Sequence, residues 1–313
     1  MGVPQKLISK ESLLPELEAY YLSDIKPLML SYEDRRNAIY TKLKWIQLLI
    51  AVIIISIVIA VYFTASDIVA SKESIIGILV AWIFPAVLVW SYMTNGLRDE
   101  LKDLSIGKMC GFLGWSYQRK SFSPLKLDDF YRLMLLPQGT YNAQFEDQIA
   151  GDIEGRRFVL QELRLSKRSN NSAVDPFLGQ LIKIDCSKKF LGETVVLRKK
   201  FDPPRQIDGK LKKVGLVSKK FNDTFNVYST DQVEARFLLP PNFMQQLLDF
   251  EAVIDGKNLR FGFVNKALLI TVETENRYEV SDSFDQARMM DSAKKNMREL
   301  YAISEITRNL TSK

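Results

Sequence analysis

The stretch Trp45–Ala65, WIQLLIAVIIISIVIAVYFTA, decides how the rest of the chain is read. Its 21 residues carry no charge. As an α-helix they would span ~31 Å, close to the ~30 Å of a bilayer's hydrocarbon core. Ten of them are Ile or Val, which in water favour strands. A strand of that length far exceeds the usual ~5–6 residues, and lipid offers no partner for its open edges. The bilayer therefore imposes a helix. Forty-four residues precede the stretch and a second apolar run follows it, so a cleaved signal peptide does not fit.

That second run is IIGILVAWIFPAVLVWSYM, Ile75–Met93, again uncharged, with Pro85 inside it. Its 19 residues would cover ~28 Å, and a proline kink is tolerated in a membrane helix. Trp45, Tyr62, Trp90 and Tyr92 fall near the span ends, where amphipathic rings prefer the lipid–water boundary. Residues 66–74 are long enough only for a tight outside turn. Lys26, Arg35, Arg36, Lys42 and Lys44 precede the first span and Arg98, Lys102 and Lys108 follow the second, while the turn holds only Lys72. This asymmetry places both termini in the cytosol. Neither span contains an ionisable residue, which argues against a charged transport pathway.

Outside the spans the chain reads as an ordinary globular sequence. Of its 313 residues 26% are charged, and the net charge is +6. That charge permits attraction to anionic lipid, nucleic acid or an acidic protein. Cys110 and Cys186 lie far apart without metal spacing and read as free thiols. There is no histidine, which excludes histidine-dependent triads and imidazole metal sites. No phosphate-cradling GxxxxGK[ST], dinucleotide GxGxxG or nucleophile-elbow GxSxG is present. The residues call for no cofactor and no metal.

The resulting fold class is α+β: an N-terminal two-helix transmembrane hairpin with a helical stalk, followed by a β-rich cytosolic domain with short helices and a C-terminal helix. Residues 1–44 are expected as an amphipathic helix, with Leu17, Tyr20, Tyr21, Ile25 and Leu28 at helical spacing. Residues 45–65 and 75–93 are the spans, and 94–127 the returning stalk. The domain covers 128–281, and 282–313 form the last helix, with Met290, Met297, Leu300, Ile303 and Leu310 as its buried stripe. LDDFYRLMLL from Leu127 reads as a short helix. A hairpin is expected to turn at Glu154-Gly155 and another at Asn265-Lys266, with Arg156 and Arg157 as turn residues. Strands on either side of Lys188–Gly192 and a turn-rich connection at Asp202–Gly209 lie between them.

The densest local signal is VYSTDQVEARFLLPPNFMQQLLDF, Val227–Phe250. A strand ends at Tyr228, and Asp231 can cap a helix with Glu234 at capping-box spacing. Pro240-Pro241 ends that helix and admits a second.

GDIEGRRF (151–158), FLGQLIKIDCSKKFLGETVVL (177–197), the DTFNVYSTDQVEARFLLPPNFMQQLL block (223–248) and the later aromatic hairpin together resemble a family of uncharacterised bacterial two-span membrane proteins, a domain-of-unknown-function family. The resemblance extends over nearly the full chain. It implies a bacterial cytoplasmic-membrane protein, and it brings no activity and no functional residues.

Two candidate sites follow from the residues. Asp231, Glu234 and Arg236 can be read as acid, base and anion-binding group, but a cap plus a salt bridge to a neighbouring strand explains the spacing without chemistry. Between Lys183 and Lys220 twelve Lys or Arg face four acidic residues, and Lys199, Lys200, Lys212, Lys213, Lys219 and Lys220 are the candidate contacts to an anionic surface. Nucleic acid is the weaker partner there, because only Phe190 and Phe201 interleave the charges. The expected partners are the bilayer itself, anionic lipid headgroups, and a protein partner or a second copy. The expected role is a membrane-anchored interaction or regulatory module; the alternative is a histidine-independent enzyme acting on a membrane-associated substrate.

Overall fold

The computed structural model describes residues 13–64, 100, 102–169, 172–199, 210–254, 256–274 and 286–309. The chain divides into two compact units, Tyr20–Ser105 and a larger one formed by Met1–Ala19 with Ile106–Lys313.

Helix α1 (Leu13–Tyr20), one π-type turn (Tyr21–Ile25) and α2 (Lys26–Thr64) form a continuous helical run. Pro27 accounts for the turn. It has no N–H for the carbonyl four residues back, and its ring crowds that carbonyl, so the helix widens locally and the Lys26 N–H bonds Tyr21 O instead. Tyr21, Ile25, Met29 and Tyr32 are buried and recur on one face. The stripe is offset in part from the expected one: Tyr20 and Leu28 are only half-buried.

The apolar half of α2 is different. Trp45, Leu48, Leu49, Val52, Ile53, Ile55 and Ile59 are all exposed along one broad face of the helix, while Gln47, Ala51 and Ile54 are half-buried on the other. Among the described residues this is the one helix long and apolar enough to cross a membrane. The second span, Ile75–Met93, and the outside turn lie outside the described residues.

The stalk is shorter than the sequence predicts. After a π-type turn at Asp103–Gly107, α3 (Lys108–Phe112) ends, and the chain does not stay helical to residue 127. Gly114 is left-handed at φ 74°, and Trp115 N–H bonds Cys110 O at 2.8 Å, a backbone cap that stops the helix. Strand β1 (Ser116–Gln118) follows at once, so the larger unit begins near Ile106 rather than at 128.

The larger unit is built on one antiparallel sheet in the order β1-β2-β3-β4-β9-β8-β5-β7-β6. Its long strands are β2 (Asn142–Ile153), β3 (Arg156–Ser169) and β4 (Ser172–Asp185). The others are β5 (Thr194–Arg198), β6 (Lys212–Lys213), β7 (Phe225–Ser229), β8 (Lys257–Val264) and β9 (Ala267–Glu273). Edges β1 and β6 have three and two residues, too short to template another strand. The hairpins at Glu154-Gly155 and Asn265-Lys266 form as expected; Glu154 and Gly155 both adopt positive φ, the primed-turn geometry that follows strand twist. The strands on either side of Lys188–Gly192 are not neighbours, because the β8–β9 hairpin inserts between β4 and β5.

Both sheet faces are covered. Alternate residues of β3, β4, β5 and β9, among them Leu163, Leu165, Leu181, Val195 and Leu269, pack with Phe130, Leu133, Leu135 and Leu136 from the segment around helix α4 (Asp128–Arg132). Helices α5 (Lys219–Thr224), α6 (Gln232–Leu238), α7 (Pro241–Val253) and α8 (Gln286–Asn309) cover the other face. Rings mark that contact: Phe243 meets Phe263 and Phe250 meets Phe261, each pair at 6.3 Å between centroids. Helix α8 packs on α7 and β2 through Leu300, Ile303 and Ile306; the side chains of Met290 and Met297, and Leu310, lie outside the described residues. Because both faces are buried, β9 reads ALLITV without alternation.

Candidate functional site

The site grows out of the loop between β4 and β5 and the turn between β7 and α6. Asp231 caps α6, its Oδ1 accepting from Val233 N at 2.9 Å and Glu234 N at 3.0 Å. Glu234 does not complete a capping box. Its carboxylate reaches across to the other loop, accepting from Leu191 N through Oε1 and Gly192 N through Oε2, both at 2.7 Å. The Asp231 N–H is served by Ser229 Oγ instead, at 3.0 Å. Glu193 N donates to Thr230 Oγ1 at 2.9 Å and Thr230 N to Glu193 O at 3.0 Å. Ser229, whose Oγ donates to Glu193 O at 3.0 Å, Thr230 and Glu234 therefore stitch two segments that are distant in sequence. Gly192 lies so close that an added Cβ would meet Thr230 Oγ1 at 2.6 Å.

Arg236 stands apart from the two acids. Its guanidinium bonds Gln232 O, Gln232 Oε1 and Gly215 O at 3.2–3.4 Å, not the carboxylate of a neighbouring strand, and it is exposed. The sequence trio is thus a cap, a loop clamp and a surface arginine.

A groove of about 520 Å³ opens beside this stitching. Its walls are apolar, from Phe190, Leu191, Val233, Phe237, Leu238 and Phe263, with Arg156, Lys188, Lys189, Asp231 and Glu234 as its charged groups. Leu191, Val233 and Phe237 are 89%, 77% and 69% exposed, so large apolar side chains face solvent around the opening. Val233 and Phe237 lie one turn apart on α6.

Arg156 is the residue that sequence reading misses. Its place beside Gly155 suggests a turn residue, but it starts β3 on the same face as Phe158 and Leu160 and is only 8% exposed. Nη2 donates to Ser187 Oγ at 3.0 Å, and Nε is buried without an acceptor. Among the described residues no carboxylate lies within ion-pair distance of it; Asp185, at the end of β4, lines a groove on the opposite sheet face and is paired with Lys183 at 3.3 Å. The alternation R-x-F-x-L after the turn is the signal that could have found it. Cys186 also lines the groove, and burial pushes its thiol up to about 11, with Arg156 pulling the other way. At neutral pH it is a protonated, weakly reactive thiol. Burial alone raises Cys110 to about 12.

A second groove, of about 590 Å³, lies on β1–β4 and is polar, lined by Ser116, Gln118, Ser123, Gln148, Arg157 and Lys183 among others. Among the described residues no three Cys, Asp or Glu side chains are grouped to hold a metal ion.

The basic candidates gather at the β7–β6 edge of the sheet without forming one face. Lys212 and Lys213 are successive residues of β6 and point to opposite sides. Lys219 and Lys220 open α5, and Lys199 is held near its end by a bond from Lys199 N to Thr224 O at 2.9 Å. All five are exposed, and Lys199 lies 4.0 Å from Asp223. Lys200 and the turn-rich stretch 201–209 lie outside the described residues.

Comparison with known proteins places a family model described as a protein of unknown function (DUF3137) on residues 175–311. That span takes in β4 to α8, including the stitched loops and most of the groove, and leaves the N-terminal helical run and β1–β3 outside. No curated protein matches the chain. Among solved structures, the mycobacterial trehalose monomycolate transport factor A, TtfA, is similar at 13% sequence identity and a TM-score of 0.34, over 66% of this chain and 95% of that one.

Proposed function

We propose that this chain is a membrane-anchored recognition module of the bacterial cytoplasmic membrane, held by a two-helix hairpin with both termini in the cytosol, whose sheet domain binds rather than transforms. The observation that carries the anchor is α2, apolar on all sides and exposed along a broad face over Trp45–Ile59. A helix apolar all round belongs in a protein core or in lipid, and this stretch is in no core. The hairpin is supported by Arg35 Nη2, which bonds Glu100 Oε1 at 2.5 Å although the two are 65 residues apart. Thr64 stands about 43 Å along α2 from Arg35, so by Glu100 the chain has come back over that length. A second span of 19 residues and a short turn would supply the return.

Recognition is favoured over chemistry by the groove. Its two carboxylates are committed to backbone N–H groups and its thiol is protonated, while its apolar walls continue onto exposed side chains. The anchor is tested by cysteines placed at Ser71 and Ser283. A membrane-impermeant thiol reagent on intact cells should label Ser71→Cys and leave Ser283→Cys unlabelled until the cells are opened. Labelling of Ser283→Cys alone would reverse the topology; labelling of neither before lysis and both after would remove the hairpin.

A further inference from the structure

We infer that the groove between α6 and the β4–β5 loop binds a single-chain anionic amphiphile, an acyl chain ending in a carboxylate or phosphate, with the anion on Arg156. This rests on reading the groove as a recognition site and names what it recognises. Three observations combine. Arg156 is a buried guanidinium without a carboxylate partner among the described residues, and its Nε lacks any acceptor. A buried cation left unpaired is costly, and a planar guanidinium matches carboxylate or phosphate with two parallel hydrogen bonds. Lys188 and Lys189 add positive charge to the same groove. Asp231 and Glu234 oppose an anion, but their oxygens are already turned onto four backbone N–H groups.

The walls select the rest of the ligand. Phe190, Phe237, Leu238 and Phe263 offer ring and methyl surface, and the nearest loop donors, Leu191 N and Gly192 N, are taken by Glu234. A peptide lying there would leave its own amides without partners, at a cost an acyl chain does not incur. The volume of about 520 Å³ is within the range of sites that enclose small molecules.

The test uses the full chain in nanodiscs of zwitterionic lipid, with a diazirine-bearing palmitic acid as probe and crosslinked peptides mapped by mass spectrometry. Label should concentrate in residues 186–191 and 232–238. Palmitate and lysophosphatidic acid should compete; monopalmitoylglycerol, with the same chain and no charge, should not. Whether the carboxylate or the phosphate competes better identifies the headgroup. Arg156→Gln should lower groove labelling about tenfold, the loss of one charge-assisted contact, while Arg157→Gln, on the opposite sheet face, should not. Because Phe237 is exposed, Phe237→Glu should fold and also lose the label, which keeps the test decisive if Arg156→Gln misfolds. Equal labelling in Phe237→Glu, or equal competition by the neutral lipid, would overturn the proposal. If instead a peptide ending in a free carboxylate after apolar residues displaces the probe, the groove is a recognition site for protein and the amphiphile is wrong. Label on neither groove segment, with no displacement by peptide, would remove both readings.

Discussion

Among single residues, Arg260 shows what a buried charge needs in order to be kept. It is 1% exposed, yet Nη2 pairs with Glu273 Oε1 at 2.6 Å and Nη1 donates to Leu135 O, also at 2.6 Å. Burial lowers its pKa and Glu273 opposes that shift. Leu135 O accepts from Thr271 Oγ1 as well, at 3.0 Å, so the cluster ties β8 and β9 to the segment after α4. Glu273→Gln should cost about 3 kcal/mol, because it strands the guanidinium. Arg260→Met combined with Glu273→Gln should cost less than Glu273→Gln alone. Urea unfolding followed by Trp115, which packs edge-on against Phe158 at 4.7 Å, measures both. A double variant less stable than the single one would mean that the pair itself, not the stranded charge, sets the cost. None of this was legible in the sequence, where Arg260 and Glu273 sit in different strands of an apolar hairpin.

For the helices and loops, the capping signal was legible and its second half misled. Asp231 caps α6 as its spacing predicts, but Glu234, three residues on, clamps a loop that sequence places 42 residues away. The capping-box pattern requires the Glu to fold back over its own helix start. Ser229 Oγ already satisfies that N–H, which frees the carboxylate for Leu191 and Gly192. The two acids should therefore separate by variant. Asp231→Ala should cost about 1 kcal/mol and Asp231→Asn very little, since Asn also caps. Glu234→Gln should cost about 2 kcal/mol, because charge-assisted bonds to two N–H groups weaken together, and it should speed amide exchange at Leu191 and Gly192. Unchanged exchange there would show that the clamp does not hold in solution.

At the largest scale, the larger unit is continuous from Ile106 apart from Met1–Ala19, and the sheet within 106–313 is covered by its own residues on both faces, so residues 106–313 should fold without the N-terminal helices. That fragment should unfold cooperatively in urea, and it should bind vesicles of anionic lipid at low salt and release them as salt rises, because exposed charges are screened over ~8 Å at physiological ionic strength. Reversing Lys212, Lys213, Lys219 and Lys220 to Glu should abolish that binding while the melting temperature changes little. Wild-type binding that ignores lipid charge would assign these lysines to solubility. Local pattern was enough to read the apolar helix at Trp45, the hairpin turns, the Asp231 cap and the last helix, because each depends on neighbours within a few residues or on the solvent they must enter. Three features took the folded chain to reveal: the insertion of β8–β9 between β4 and β5, the clamp of Glu234 on a distant loop, and the burial of Arg156 in an apolar groove. Those depend on which segments meet across the sheet, and a strand's own pattern records how much of it is covered but not by what.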